Sequence, residues 1–320
     1  MGLCSATITY MSIISNCTAS AIKDSATALV KGDLVAFPTE TVYGLGADAT
    51  NEDAIARIYK VKGRPEGHPL IVHIASIGNL DIWARDIPEY AVNLARAFWP
   101  GPMTLILKRS ELAKDFITGE QDNVGLRVPD HSLALALITE FEKLGGFGIA
   151  APSANISTKL SSVQASDVIE EFGSKIKYIL NGGKCKIGVE STIVECINTA
   201  TILRPGAISR EDIESVIRIS MSLDTGESRA PGMLASHYSP AARVVLVETV
   251  EDLNIHLSQF SASGTSCASL HFDSLQEYAF HLYSSLRQAD ESGVDVVVAL
   301  LPPAQGLGIA IRDRLRKASN

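Results

Sequence analysis

Short apolar runs, each closed by a turn of glycine, proline or small polar residues, alternate with helical segments from about residue 20 to residue 219. Such alternation restricts the chain to an α/β layer architecture, because every run must be buried under helices and beside other strands. Ile22, Ala26, Leu29 and Val30 share one helical face, Gly32 supplies a stop, and Leu34-Val35-Ala36-Phe37 follows as a buried strand. Thr50 and Asp53 resemble a capping box opening a helix that carries Ile55, Ile58 and Tyr59. Further strands are expected at Leu70–Ile74, Met103–Lys108, Val124–Val128, Gly148–Ala151, Lys177–Leu180 and Thr192–Cys196. Hairpin-like returns among them predict a mixed sheet.

At 320 residues with 46% apolar composition, the chain exceeds one ordinary domain and can fill a substantial core. The hydrophobic periodicity fades between Ser220 and Pro240, which reads as a linker or lid. A second α/β unit follows, with strands at Val244–Val247, Ser266–Leu270 and Val294–Leu300. Its helices are expected around Asp252–Phe260, Leu275–Ala289 and Ile309–Lys317, giving a small Rossmann-like sheet. The expected division is a loose extension at 1–19, a catalytic domain at 20–219, a linker at 220–240 and a carboxyl-terminal domain at 241–320. No dense polar constellation marks the last domain, so the chemistry is expected in the larger one.

A formal net charge of -8 opposes general nucleic-acid binding, which needs a basic surface and counterion release. Cys4, Cys17, Cys185, Cys196 and Cys267 are odd in number and contain no C-x-x-C pair. Neither a disulfide framework nor a zinc site fits, and a reducing cytoplasm does. Met1 to Ile22 hold one apolar-to-polar mixture broken by Ser, Thr and Asn, and no Arg precedes Arg57. A secretory signal, a transit peptide and a membrane span are therefore not expected.

Pro38 to Gly46 follows a buried strand directly, where ligands sit in α/β sheets. Its Gly44-Leu45-Gly46 is no dinucleotide fingerprint, because the helix begins beyond the glycine run. Lys60-Val61-Lys62-Gly63-Arg64 ends a helix, where cations are favoured in any case, but the chain then returns Gly67-His68-Pro69-Leu70-Ile71-Val72-His73. His73 alternates with Val72 and Ile74, so it shares a face with Ile71; a lone histidine there is usually a packing residue. Arg127 lies in an otherwise apolar strand and requires a partner, either a structural carboxylate or the carboxylate of a ligand. Ala151-Pro152-Ser153-Ala154-Asn155 is a small-residue turn that lets backbone amides approach an anion, or an ordinary polar turn. Gly188-Val189-Glu190-Ser191-Thr192 leads into a strand, and Leu203-Arg204-Pro205-Gly206-Ala207 ends another. Together these strand ends supply what a cleft for an anionic substrate requires, without any P-loop.

In this order the segments resemble the YrdC-like family of threonylcarbamoyl-AMP synthases in its two-domain form. The likeness rests on Pro38–Gly46, Lys62–His73, Trp99–Thr104, Val124–Pro129, Ala151–Asn155, Gly188–Ile193 and Leu203–Ala207. His237-Tyr238-Ser239-Pro240 and Arg314-Leu315-Arg316-Lys317-Ala318 extend it through the second domain. The resemblance implies an α/β fold, a twisted mixed sheet with a deep basic cavity, and an enzyme that joins L-threonine, bicarbonate or CO2, and ATP. Carried over by position, Thr41, His73, Arg127, Ala151 and Ser191 would surround threonine. Arg64, His68, Asn123, Ser153, Ser161, Arg204 and Tyr238 would surround ATP, with Lys62 and Arg64 offsetting charge as the catalytic pair. Mg2+ would come with ATP rather than on protein ligands, no organic cofactor is implied, and the adenylate would pass to a tRNA threonylcarbamoyl transferase machinery. His68 stands where asparagine is common, Thr158 where glycine is usual, and Asn181 where aspartate is usual. The competing readings are a tRNA- or double-stranded-RNA-binding module and a carbamoyl transferase.

Overall fold

The computed structural model describes residues 13–16, 18–65, 67–218, 221–223 and 238–320, with backbone alone for 13–16 and 222–223. The larger domain carries β1 (Ile13–Asn16), β2 (Val35–Phe37), β3 (Gly44–Asp48), β4 (Ile71–His73), β5 (Met103–Lys108), β6 (Asn123–Arg127), β7 (Ile149–Ala150), β8 (Tyr178–Asn181), β9 (Thr192–Cys196), β10 (Ala200–Arg204) and β11 (Ser222–Leu223). They form one mixed sheet in the order β1-β8-β2-β3-β7-β4-β6-β5-β9-β10-β11. Around it lie α1 (Ala19–Val30), α2 (Glu52–Lys62), α3 (Leu80–Trp83), α4 (Glu89–Phe98), α5 (Asp115–Thr118), α6 (Ser132–Lys143), α7 (Ala165–Phe172) and α8 (Arg210–Ile217). The second domain holds β12 (Arg243–Val247), β13 (Cys267–Leu270) and β14 (Val296–Leu300), all parallel in the order β12-β14-β13, with α9 (Val250–Ala262), α10 (Leu275–Glu291) and α11 (Leu307–Ala318). Among the described residues no helix is long and apolar enough to cross a membrane.

Three local readings are corrected. The buried stripe of α1 runs through Ala21, Ser25, Ala26, Ala28 and Leu29, leaving Val30 exposed, because small residues allow the close approach of α6 that branched ones would hinder. Asn51, not Thr50, caps α2 by accepting from the Ala54 amide, since Thr50 is already held by the Asp48 carboxylate through both its amide and its hydroxyl. Gly44-Leu45-Gly46 lies in β3, where a Cβ on Gly46 would meet Ile149 Cγ2 and Phe37 Cε1 at 2.8 Å. Glycine is what lets β3 fit between β2 and β7. The stretch read as a loose extension contributes β1, which pairs in parallel with β8.

The interior does not stop at the domain boundary. Tyr278, Leu282, Tyr283, Leu286, Ile311 and Leu315 of the second domain belong to the same buried apolar cluster as Ile55, Leu105 and Val194 of the first. Arg287 on α10 reinforces the contact, donating from Nη2 to the Leu160 carbonyl at 3.2 Å and from Nη1 to Glu171 at 3.3 Å.

Candidate active site

Parallel pairing sets the register of the site. His73 at the end of β4 lies opposite Arg127 at the end of β6, so both side chains arrive at the carboxyl edge of the sheet. Strand β7 runs antiparallel beside β4 and delivers Ala151, whose amide donates to the Ile71 carbonyl at 3.0 Å. From the other side come the start of β9, preceded by Ser191, and the end of β10, closed by Arg204. One cavity gathers Arg64, His73, Arg127, Ala151, Ser153, Ser191, Arg204 and Tyr238, with Ile71 beside His73 as their alternation requires.

Arg127 is buried and already has the structural partner that the sequence left open. Its Nη2 donates to Glu40 at 2.6 Å and to the Thr41 hydroxyl at 2.8 Å. Glu40 in turn accepts from the Asp130 amide at 3.0 Å, which fixes the pair to the sheet edge. Thr41 therefore stands behind Arg127 and is tied to Thr39 by a 2.8 Å hydroxyl contact. His73 packs edge-on to Phe37, its ring centroid 5.9 Å away. Burial, followed by the nearby Arg127 charge, lowers its pKa to about 3, so the ring is neutral at physiological pH. Its Nδ1 is buried with no hydrogen-bond partner. A buried polar atom left unmade at a cavity wall is costly unless a ligand completes it.

Lys62 lies just beneath the cavity. Its ammonium donates to the Ser153 carbonyl at 2.6 Å and to the Asn155 carbonyl, so it braces the small-residue turn from below. Burial and then Arg64 push its pKa well below the ordinary lysine value. Arg204 clasps Ser191, donating from Nη2 to its carbonyl at 2.9 Å and its hydroxyl at 3.1 Å, and Ser191 Oγ also lies 2.8 Å from Thr104 Oγ1. A Cβ on Gly206 would meet the Thr192 amide at 2.2 Å, so only glycine lets the two chain segments close to this distance.

Not every expected residue reaches the cavity. Asn123 opens β6 at its far end, opposite Lys108 on β5. His68 is half-buried, and burial and Arg64 lower its pKa. Ser161 is fully buried and donates to Glu190 at 2.5 Å. Thr158, in place of the usual glycine, has φ of 74°, the left-handed region in which glycine costs nothing. Most of the stretch expected to form a lid, including Pro231, Gly232 and His237, lies outside the described residues; Tyr238 lies within them, and its ring is buried at the cavity wall.

Sequence reasoning missed Glu40, Thr39 and Glu190. Both glutamates sat inside quoted blocks, flanked by threonine or serine, and the signal was a carboxylate beside small polar residues at a strand end. Among the described residues no group of three or more His, Cys, Asp or Glu side chains could hold a metal ion.

Comparison with known proteins assigns the family. The Sua5/YciO/YrdC model, described as "Telomere recombination", matches residues 27–206, and the model described as "Threonylcarbamoyl-AMP synthase, C-terminal domain" matches residues 208–320. The chain belongs to the Sua5/YciO/YrdC family. A relative from Pyrococcus abyssi named threonylcarbamoyl-AMP synthase is 44% identical, covering 93% of this chain and 94% of its own. One of the same name from Bacillus subtilis is 40% identical, covering 93% of this chain and 92% of its own. The crystal structure of Pyrococcus abyssi Sua5 complexed with L-threonine superposes with a TM-score of 0.90 at 40% identity, over 96% of this chain and 98% of that one. The first family model ends at residue 206, whereas α8 packs on α4 and β11 extends the large sheet from β10.

Proposed function

We propose that the protein is an L-threonylcarbamoyl-AMP synthase. The observation that carries this reading is the cavity itself, where Arg64, Arg127 and Arg204 converge with a neutral histidine on small-residue strand ends. Its support from outside is the shared name of relatives that match nearly the whole chain and the threonine held by a close structural neighbour. In the proposed reaction the threonine amine adds to CO2 derived from bicarbonate, losing a proton and giving a carbamate. A carbamate oxygen then attacks the α-phosphorus of ATP, the bond from that phosphorus to the bridging oxygen breaks, and pyrophosphate leaves. This makes the protein a nucleotidyltransferase with no covalent enzyme intermediate.

Arg127 binds the threonine carboxylate while remaining paired with Glu40; Thr41 holds Arg127 from behind, and Ser191 supplies a short polar contact. His73 offers its unpartnered Nδ1 as an uncharged hydrogen-bonding group, which neither attracts nor repels the forming carbamate. Arg64, Arg204 and Ser153 face the triphosphate, and Lys62 sets the turn whose amides do the same. Positioning and preorganised charge are the large terms in nucleotidyl transfer. Mg2+ would enter with ATP, because Glu40 and Glu190 are both engaged by arginines. The product would serve threonylcarbamoylation of the tRNA adenosine next to the anticodon, in the cytoplasm.

Purified protein incubated with MgATP, labelled bicarbonate and each amino acid in turn tests the reading. A labelled adenylate and equimolar pyrophosphate formed with threonine alone are expected. Pyrophosphate release indifferent to threonine would defeat it, and turnover with carbamoyl phosphate instead would favour a carbamoyl transferase.

A further inference from the structure

Glu190 stands in the wall of the cavity, yet most of its partners come from the second domain. Tyr283 Oη on α10 lies 2.9 Å from Oε2 and 3.1 Å from Oε1. Arg314 on α11 donates from Nε to Oε2 at 2.9 Å, and Ser161 supplies the contact from the first domain. The Arg314 side chain is wholly buried, with its guanidinium 5.6 Å from the centroid of the Tyr238 ring. Its Nη1 is held by Asp313 at 2.6 Å, while Nη2 is buried without a partner.

Burying so many charged and polar groups is expensive, and a well-packed apolar interface would hold two domains together at lower cost. The location of Glu190 gives the arrangement a purpose. A bare carboxylate here would repel a triphosphate and would compete for Arg204, whose charge it already feels. The domain contact is also built to leave no slack. Gly188, two residues before Glu190, has φ of 88°, and a Cβ there would meet the Ala279 carbonyl of α10 at 2.3 Å. The loop bearing Glu190 is therefore seated directly against the second domain.

We infer that Arg314 is a positioning residue for the nucleotide: by neutralising Glu190 from the second domain, it leaves Arg204 and Tyr238 to the phosphates of ATP. The inference rests on reading the cavity as an ATP site. It assigns the second domain a chemical task in the first domain's cavity, where the sequence had placed no polar constellation in that domain.

Binding of MgATP, measured by calorimetry on the full chain, separates the possibilities. Arg314→Met is expected to weaken MgATP binding by about tenfold or more while leaving threonine affinity within about twofold. Glu190→Gln in that background is expected to restore most of the lost affinity, because it removes the uncompensated charge. Wild-type MgATP affinity in Arg314→Met, equal losses for both substrates, or a deficit that Glu190→Gln does not recover would each overturn the inference. Should Arg314→Met fail to fold, Glu190→Gln alone supplies the test. With the cation kept and the anion removed, MgATP should bind more tightly, and unchanged or weaker binding would overturn the inference. Absence of MgATP binding by the wild-type protein would instead defeat the functional reading on which it rests.

Discussion

Arg127 carries two duties that a single substitution confuses. It is the partner of the buried Glu40 and the candidate clamp for a ligand carboxylate, so Arg127→Ala leaves an uncompensated anion in the interior as well as an empty subsite. That variant is expected to lose about 3–5 kcal/mol of stability. The double change Arg127→Ala with Glu40→Gln should regain much of the stability, measured by urea denaturation, but none of the threonine dependence. Recovery of both would reduce the arginine to a structural role. His73 carries a different signature, because its folded-state pKa of about 3 lies below the ordinary 6.5. The unfolded chain then takes up a proton that the folded chain refuses, so stability is full above 6.5 and declines as pH falls toward 3. The slope from this one group is about 1.4 kcal/mol per pH unit. Glu190, held at about 2 against its burial by Arg314 and Arg204, adds the same sense of change only below its ordinary 4.5. Denaturation between pH 6.5 and 4.5 avoids the Glu190 contribution, but His68 and His131, also lowered, act in the same direction there, and Glu142, raised by burial, acts in the opposite one. The difference between wild type and His73→Gln is therefore the quantity to measure, and parallel pH profiles would show that the ring is not buried neutral.

Element by element, the sequence was legible where burial alone dictates the pattern. Strands β5 and β9 match their expected limits, and the three parallel strands and three helices of the second domain fall within a few residues of theirs. Reading failed where tertiary contact overrides local preference. Strand β3 was not among the expected strands, and only the proximity of Phe37 and Ile149 explains why a strand carries two glycines there. The cap of α2 shifted by one residue because Asp48 captured Thr50 first. At the site, His73 and Arg127 were readable as polar residues at strand ends, and the parallel register of β4 and β6 brings them to one cavity. The Glu40 and Glu190 partnerships were not readable, because their partners lie 87 and 124 positions away along the chain.

Across the whole molecule, a cut after residue 219, the expected end of the catalytic domain, meets a physical objection. The apolar cluster is continuous from the large sheet through α10 to α11, and cutting the chain would expose the faces now covered by Tyr283, Leu286 and Leu315. The cut would also strip Glu190 of two of its three named partners and Glu171 of Arg287, leaving a buried carboxylate at the cavity wall. Apolar exposure and an unpaired buried charge act in the same direction, so the truncated chain should melt well below the full one. In the full chain the two sheets are expected to unfold as one cooperative unit, with calorimetric and van't Hoff enthalpies in agreement. MgATP and threonine together should raise that single transition, since ligands that bind only the folded state stabilise it by mass action. Scanning calorimetry of residues 1–320 and 1–219 makes the comparison directly. Two resolved transitions in the full chain, one coinciding with the melting of residues 1–219 alone, would show that the second domain neither supports the first nor completes its cavity.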